Sequence, residues 1–328
     1  MGRITRDIGI ALLAGAVLAG TSACGGKKSA ASDEKSSSKA GTAGAKPSPT
    51  HPSGPPMKLE TISPDSGTVG VAMPISVEFT KPVASSARAE VERHLKVTAS
   101  TPVVGAWHWF RDDDGHYTRV DWRPKDYWPS GTKVTVNADL DGVGDGNGRY
   151  GTRAYRHSFT IGADFETTVS VPDHKMKITQ NGKEVRSMPM DAGSEEFPSW
   201  DGTMAVMDRQ RWVHMTSCSV GITCDKGNPN FYDTTLPWDV QLTNSGTYVH
   251  FSNQHPHPGH GEGSHGCIHL SEDDAQWYYN NVHLGDPVTI KGSPRGNTPA
   301  DNGYAAFTLG WDKWLKDSAT GQQTTGAA

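Results

Sequence analysis

Ser264-His265-Gly266-Cys267-Ile268-His269 decides how the rest of the chain is read, together with Tyr248-Val249-His250, whose histidine lies seventeen residues before the cysteine. A thiol attacks only as thiolate, so it needs a cation, a base or a helix N-terminus nearby. Gly266 lets the backbone approach whatever Cys267 attacks, which makes the Gly266 and Cys267 amides candidates for an oxyanion hole. His250 closes a β-type run (Thr247, Tyr248, Val249), which predicts a base held at a strand end. Ser271 with Asp274 three residues on predicts an N-cap and capping box. A helix therefore starts beyond the thiol, with its dipole favouring the anion.

Outward from that stretch, 328 residues suggest about two domains plus extras. A net charge of −5 with 20% charged residues offers no basic field for nucleic acid. Residues 1–23, with Arg3, Arg6 and the apolar run Ile8 to Ala19, read as a secretory signal too short to span a membrane. The segment from Leu18 to Gly26 looks like a bacterial lipoprotein signal, with Cys24 as the lipidated first residue. Residues 24–56, rich in Lys, Ser, Ala, Gly and Pro, cannot bury enough surface to order themselves and read as a tether. With Cys24 assigned to lipid and Cys267 to chemistry, Cys218 and Cys224 remain of the four cysteines. In an exported chain they most simply form a disulfide, two inert thiols being the alternative.

The predicted fold is mainly β. From 57 to 162, short alternating runs such as Ile75-Ser-Val-Glu-Phe79 predict an immunoglobulin-like sandwich over Val77, Phe79, Trp107, Trp109 and Trp122, interrupted by one helix near 85–94. Asp141 to Gly148 echoes a calcium loop but lacks the closing glutamate, which favours a hairpin turn. From 163 to 291 a second β-rich unit opens with a meander turning at Asn181-Gly182, and Thr216 to Asp239 reads as a lid over the thiol. A helix over Glu272 to Val282 and a strand over Pro287 to Lys291 follow. The 292–328 extension is expected to pack Trp311 and Trp314 back on the second unit, with 316–328 frayed.

The His, loop, Ser-His-Gly-Cys pattern resembles the catalytic motif of the L,D-transpeptidases, the YkuD-type enzymes that cross-link peptidoglycan through a cysteine. His250, Ser264, His265, Gly266 and Cys267 match it; His269 stands where the family usually has Asn or Arg. The resemblance implies an immunoglobulin-like domain before a YkuD-type catalytic domain. It implies substrate contact by Tyr232, Met215, Ser245, Gly246 and the His269 position, a structural role for the His265 ring, and orientation of the His250 imidazole by the Phe251 carbonyl. It further implies that Cys267 attacks the third-position carbonyl of a tetrapeptide stem, releases D-alanine and passes the thioester to an amine of a neighbouring stem. Neither metal nor cofactor is required; carbapenems are expected inhibitors. The expected protein is a monomer, lipid-anchored on the outer face of the membrane through Cys24. An L,D-carboxypeptidase or protein-to-peptidoglycan ligase would share the thioester. Six histidines (His250, His255, His257, His260, His265, His269) beside the cysteine make a zinc hydrolase the rival chemistry, and a non-catalytic wall-binding lipoprotein the rival class.

Overall fold

The computed structural model describes residues 52–261 and 263–327. Cys24, the signal segment and the tether up to residue 51 lie outside the described residues. Among the described residues no helix is long and apolar enough to cross a membrane.

The alternation at Ile75-Ser-Val-Glu-Phe79 is realised as strand Ile75–Val83, which turns Ile75, Val77 and Phe79 into a core. Two five-stranded sheets enclose it. One orders Leu59–Ser63, Ile75–Val83, Tyr117–Pro124, Val104–Arg111 and Gln323–Thr324; the other orders Gly326–Ala327, Leu95–Ala99, Lys133–Asp139, Ala154–Ile161 and Thr68–Val69. Trp107, Trp109 and Trp122 are buried between them, and helix Arg88–His94 fills the predicted interruption. In the calcium-like loop, Asp145 spends its carboxylate locally: Oδ1 accepts the N–H groups of Asn147 and Arg149, and Arg149 pairs with it at 2.5 Å.

A third sheet orders Lys183–Pro189, Lys175–Gln180, Phe165–Ser170, Pro287–Lys291 and Gly202–Ala205, and a fourth orders Asp208–Thr216, Asp233–Gln241, Tyr248–Phe251 and Ile268–Leu270. Asn181 and Gly182 both take positive φ (50° and 74°), the type I′ turn their sequence predicts. Helix Glu272–Asn281 starts where Ser271 accepts the Asp274 N–H. It packs Ala275 and Tyr278 into one core with Ile178, Val240, Val249 and Ile268.

Two expectations need correction. The stretch read as a lid ends early, because Asp233–Gln241 is a nine-residue strand paired along Asp208–Thr216. The carboxy terminus is neither frayed nor wholly packed on the second domain. Residues up to 309 do lean on that domain, through bridges from Asn297 to Asp201 and from Tyr304 to Ala205. From Trp311 on, the chain crosses to the first domain. Trp314 is fully buried, stacked on His108 at 4.5 Å and donating Nε1–H to the Ala106 carbonyl at 3.0 Å. Arg123 lies against the rings of Phe307, Trp311 and Trp314. Buried Glu92 then accepts N–H groups from Ala319 and Thr320 and the Thr320 hydroxyl. The last residues add an edge strand to each sheet of the sandwich.

The two domains meet without a linker. Gly70 donates its N–H to Leu284 O at 2.7 Å, and a β-carbon there would stand 2.2 Å from Asp286, so only glycine permits the approach. Arg119, paired with Asp121, donates to the Gly303 carbonyl at 2.9 Å.

Candidate active site

The fourth sheet positions the chemistry. Tyr248–Phe251 pairs in parallel with Ile268–Leu270, opposing His250 to His269. Residues two apart on extended chain share a face, so Cys267 lies on the face that carries His250 one strand over. Both border a cleft of about 560 Å³ whose wall also includes Met215, Tyr232, His265 and His269. Ser245 and Gly246 border it too, so every expected substrate contact converges on one cavity.

The nucleophile turn is held by its own hydroxyl. Ser264 Oγ donates to the Cys267 carbonyl at 2.6 Å and accepts the Gly266 N–H at 3.0 Å. Gly266 sits at φ 119°, a conformation for a residue without a β-carbon. Its carbonyl accepts from Ser199 Oγ at 3.0 Å. This corrects the expected oxyanion hole: the Gly266 amide is committed to Ser264, leaving the Cys267 amide as the candidate.

Burial sets the protonation states. His250, 2% exposed, donates Nδ1–H to the Phe251 carbonyl at 2.8 Å, the orienting bond expected. Burial lowers its pKa to about 4, against the opposing pull of that carbonyl. Cys267 is a free thiol, partly exposed at the cleft, whose Sγ faces the Gly246 carbonyl at 3.6 Å. Burial pushes it up to about 12, Asp239 adds to the rise and the Tyr248 N–H opposes it. Burial therefore leaves neither the thiol nor the imidazole charged at rest. Nor does the helix dipole assist at close range, because Ile268–Leu270 and Ser271 carry the chain about 13 Å before helix Glu272–Asn281 begins.

The roof comes from the shortened lid. Cys218 and Cys224 form a disulfide, and the loop they close presents Val220 and Ile222 to the cleft. The His265 ring lies between Phe197 (4.9 Å) and Tyr232 (5.1 Å), joining the lid to the loop beyond Asp191. Burial, with the thiol nearby, pushes Tyr232 up to about 12, so its hydroxyl remains a donor.

His269 contacts His250 (4.7 Å between rings) and His255 (5.9 Å). These imidazoles do not converge on a common point: among the described residues, the group with three donor atoms within 4.8 Å of one another is Asp112, Asp114 and His116, in the first domain. His257 and His260 stand in the loop between base and nucleophile. Buried Asp191 pins that loop, its Oδ1 accepting the N–H groups of Gly259, His260 and Gly261 at 2.8–3.1 Å.

Sequence reasoning missed Asp191, Ser199, Asp239 and Arg295. Asp239 is fully buried, with the Val213 and Asp239 N–H groups nearby but outside hydrogen-bond geometry, and burial raises its pKa to about 8. The folded state thus holds a proton that the unfolded chain releases near pH 4, so stability falls as pH rises from about 4 to about 8. Asp239→Asn removes this dependence. Thermal melts at pH 5, 7 and 9 are expected to show the variant's Tm gaining on the parent's with each step; a constant difference would refute it.

Residues 165–290 match the family model described as the L,D-transpeptidase catalytic domain, and residues 28–144 that of a bacterial Ig domain. L,D-transpeptidase 2 of Mycobacterium tuberculosis (strain CDC 1551 / Oshkosh) is 32% identical over 256 residues, covering 78% of this chain and 60% of the relative. L,D-transpeptidase 1 of the H37Rv strain is 31% identical over 71% of this chain and 85% of its own length. The chain thus spans less than two thirds of the former. The solved structure of LD transpeptidase LdtMt1 in complex with imipenem superposes with a TM-score of 0.60 at 31% identity, over 72% of this chain and all of that one. L,D-transpeptidase 3 of M. tuberculosis in complex with a faropenem-derived adduct does so with a TM-score of 0.57 at 29% identity, over 71% and 98%.

Proposed function

The chain belongs to the L,D-transpeptidase family, and from that premise we propose that it cross-links peptidoglycan through a thioester on Cys267. The observation that carries this reading is the parallel pairing that sets His250 and Cys267 on one face of one cleft. Cys267 attacks the third-position carbonyl of a tetrapeptide stem while its proton passes to His250, whose Nδ1–H is already held by Phe251. The Cys267 amide and the Tyr232 hydroxyl donate to the developing oxyanion. As the C–N bond breaks, His250 returns the proton to the leaving amine and D-alanine departs. The side-chain amine of a second stem then attacks the thioester, His250 takes the amine's proton, and the thiol re-forms. Met215, Ser245, Gly246 and His269 line the stem's path, with the His265 ring holding lid to wall. Because the acyl group stays activated, no nucleotide is consumed.

Since thiol and imidazole are both neutral at rest, proton transfer accompanies attack. The lid excludes water, so aminolysis outruns hydrolysis. The β-lactams in the relatives' structures support the expectation that a carbapenem acylates the same sulfur. The lipoprotein-like sequence around Cys24 supports anchoring to the outer face of the membrane.

The test is incubation of the purified protein with disaccharide tetrapeptide and analysis of products by mass. Free D-alanine together with a dimer lighter than two monomers by one whole D-alanine molecule is expected. D-alanine without dimer would make the protein a carboxypeptidase, and neither product would overturn the reading.

A further inference from the structure

The reaction above releases an amino acid that still carries a carboxylate, and a site committed to that leaving group needs a cation near the thiol. Among the described residues lining the cleft, Arg295 is the one lysine or arginine and Glu196 the one carboxylate. Glu196 already accepts from Asn230 Nδ2 at 3.1 Å.

Arg295 is held over the nucleophile turn by the residues that hold the turn itself. Its guanidinium carbon lies 3.7 Å from the centre of the Trp200 ring, and Nη1 donates to the Pro198 carbonyl at 3.2 Å. Ser199, between those two, donates to the Gly266 carbonyl. Ser293 returns a hydrogen bond to Ser199 O, and its own N–H is fixed by Asp201 at 2.9 Å. A β-carbon built on Gly266 would stand 3.9 Å from Arg295 Nη1, which places the guanidinium one residue from the sulfur-bearing position.

We propose that Arg295 binds the terminal carboxylate of the donor's leaving residue and so restricts donors to stems ending one residue beyond the attacked carbonyl. This rests on the transpeptidase reading. The bond path from the attacked carbon to that carboxylate carbon is about 4.3 Å (C–N, N–Cα, Cα–C), so a carboxylate bound there falls beside the thiol. A guanidinium offers five N–H groups in a planar fork that accepts a carboxylate through two bonds at once. Among the described residues one of those groups is spent on Pro198. Stacking on Trp200 fixes the plane of the fork in advance. A longer stem would place a neutral peptide group against the fork and its next residue against Trp200 and Pro198.

The test compares kcat/KM for two tetrapeptide donors, one ending in free D-alanine and one in D-alaninamide, with release of the terminal residue as readout. A charge-assisted pair is worth about 1.5–3 kcal/mol, so the parent is expected to prefer the free acid by roughly 10- to 150-fold. Arg295→Gln is expected to reduce that preference to about threefold or less, chiefly through KM for the free acid, and Arg295→Lys to restore part of it. Equal use of both donors by the parent, or an undiminished preference in Arg295→Gln, would overturn the proposal. So would slowing of both donors to the same degree, the mark of a merely structural role. If the parent releases neither leaving group, the transpeptidase reading fails with it; if it releases both equally, that reading stands and the Arg295 assignment falls.

Discussion

Cys267→Ala is expected to abolish both D-alanine release and the mass increase from an added carbapenem, and His250→Ala to lower both by about 10²- to 10⁴-fold, the usual contribution of a positioned base. The first effect is total because Cys267 is the free cysteine among the described residues. The second is large because burial leaves the thiol neutral, with a pKa near 12, so hardly any thiolate exists at neutral pH without a base to take the proton. The same states fix the pH profile. The reactive form needs the imidazole neutral, which holds above its pKa of about 4, and the thiol un-ionised at rest, which holds below about 12. Second-order acylation of Cys267, followed by mass, is expected to stay flat from about pH 5 to 9 and to fall as the pH drops through about 4. A bell with half-points near pH 6 and 7 would instead establish a resting ion pair and refute the neutral-pair description.

Trp314→Ala carries the largest expected cost in stability. The indole is fully buried against Ala106, Phe110 and His108 of the first domain, stacks on one side with Arg123 and makes one hydrogen bond. Emptying such a site costs about 3–5 kcal/mol. At about 2–4 °C per kcal/mol for chains of this size, calorimetry is expected to show Tm lower by roughly 6–20 °C. Trp314→Phe keeps most of the ring and is expected to lose less than half as much. A Trp314→Ala melt within about 2 °C of the parent would mean that the crossing segment adds nothing to the fold.

Where chemistry or local geometry demands particular residues, the sequence was readable. Gly266 at positive φ, Ser264 knotting its own turn, Asn181-Gly182 and the Ser271 cap each act within a few residues, so their identity carries their conformation. The disulfide was legible for the same reason. Strand Asp233–Gln241 was not, because Pro237 sits at its centre and Trp238 takes φ 62°, features that argue against a strand; pairing with two neighbours overrides them. Residues 323–327 are short and polar, and become strands only because two sheets offer unpaired edges. Asp191, Ser199 and Arg295 reach the site from segments 68, 67 and 97 residues away from their partners, a distance no local pattern encodes. The neutral thiol was missed because depth of burial, rather than the identity of neighbouring residues, sets it.

The tail that borders both sheets of the sandwich also fixes when that sandwich can be finished. Its last internal strand ends at Ile161, yet the borders at Val104–Arg111 and Leu95–Ala99 wait for residues more than 160 positions later. Bare rims invite pairing between nascent copies. Until residues 323–327 pair there, the sandwich offers two further unpaired edges to any neighbouring copy.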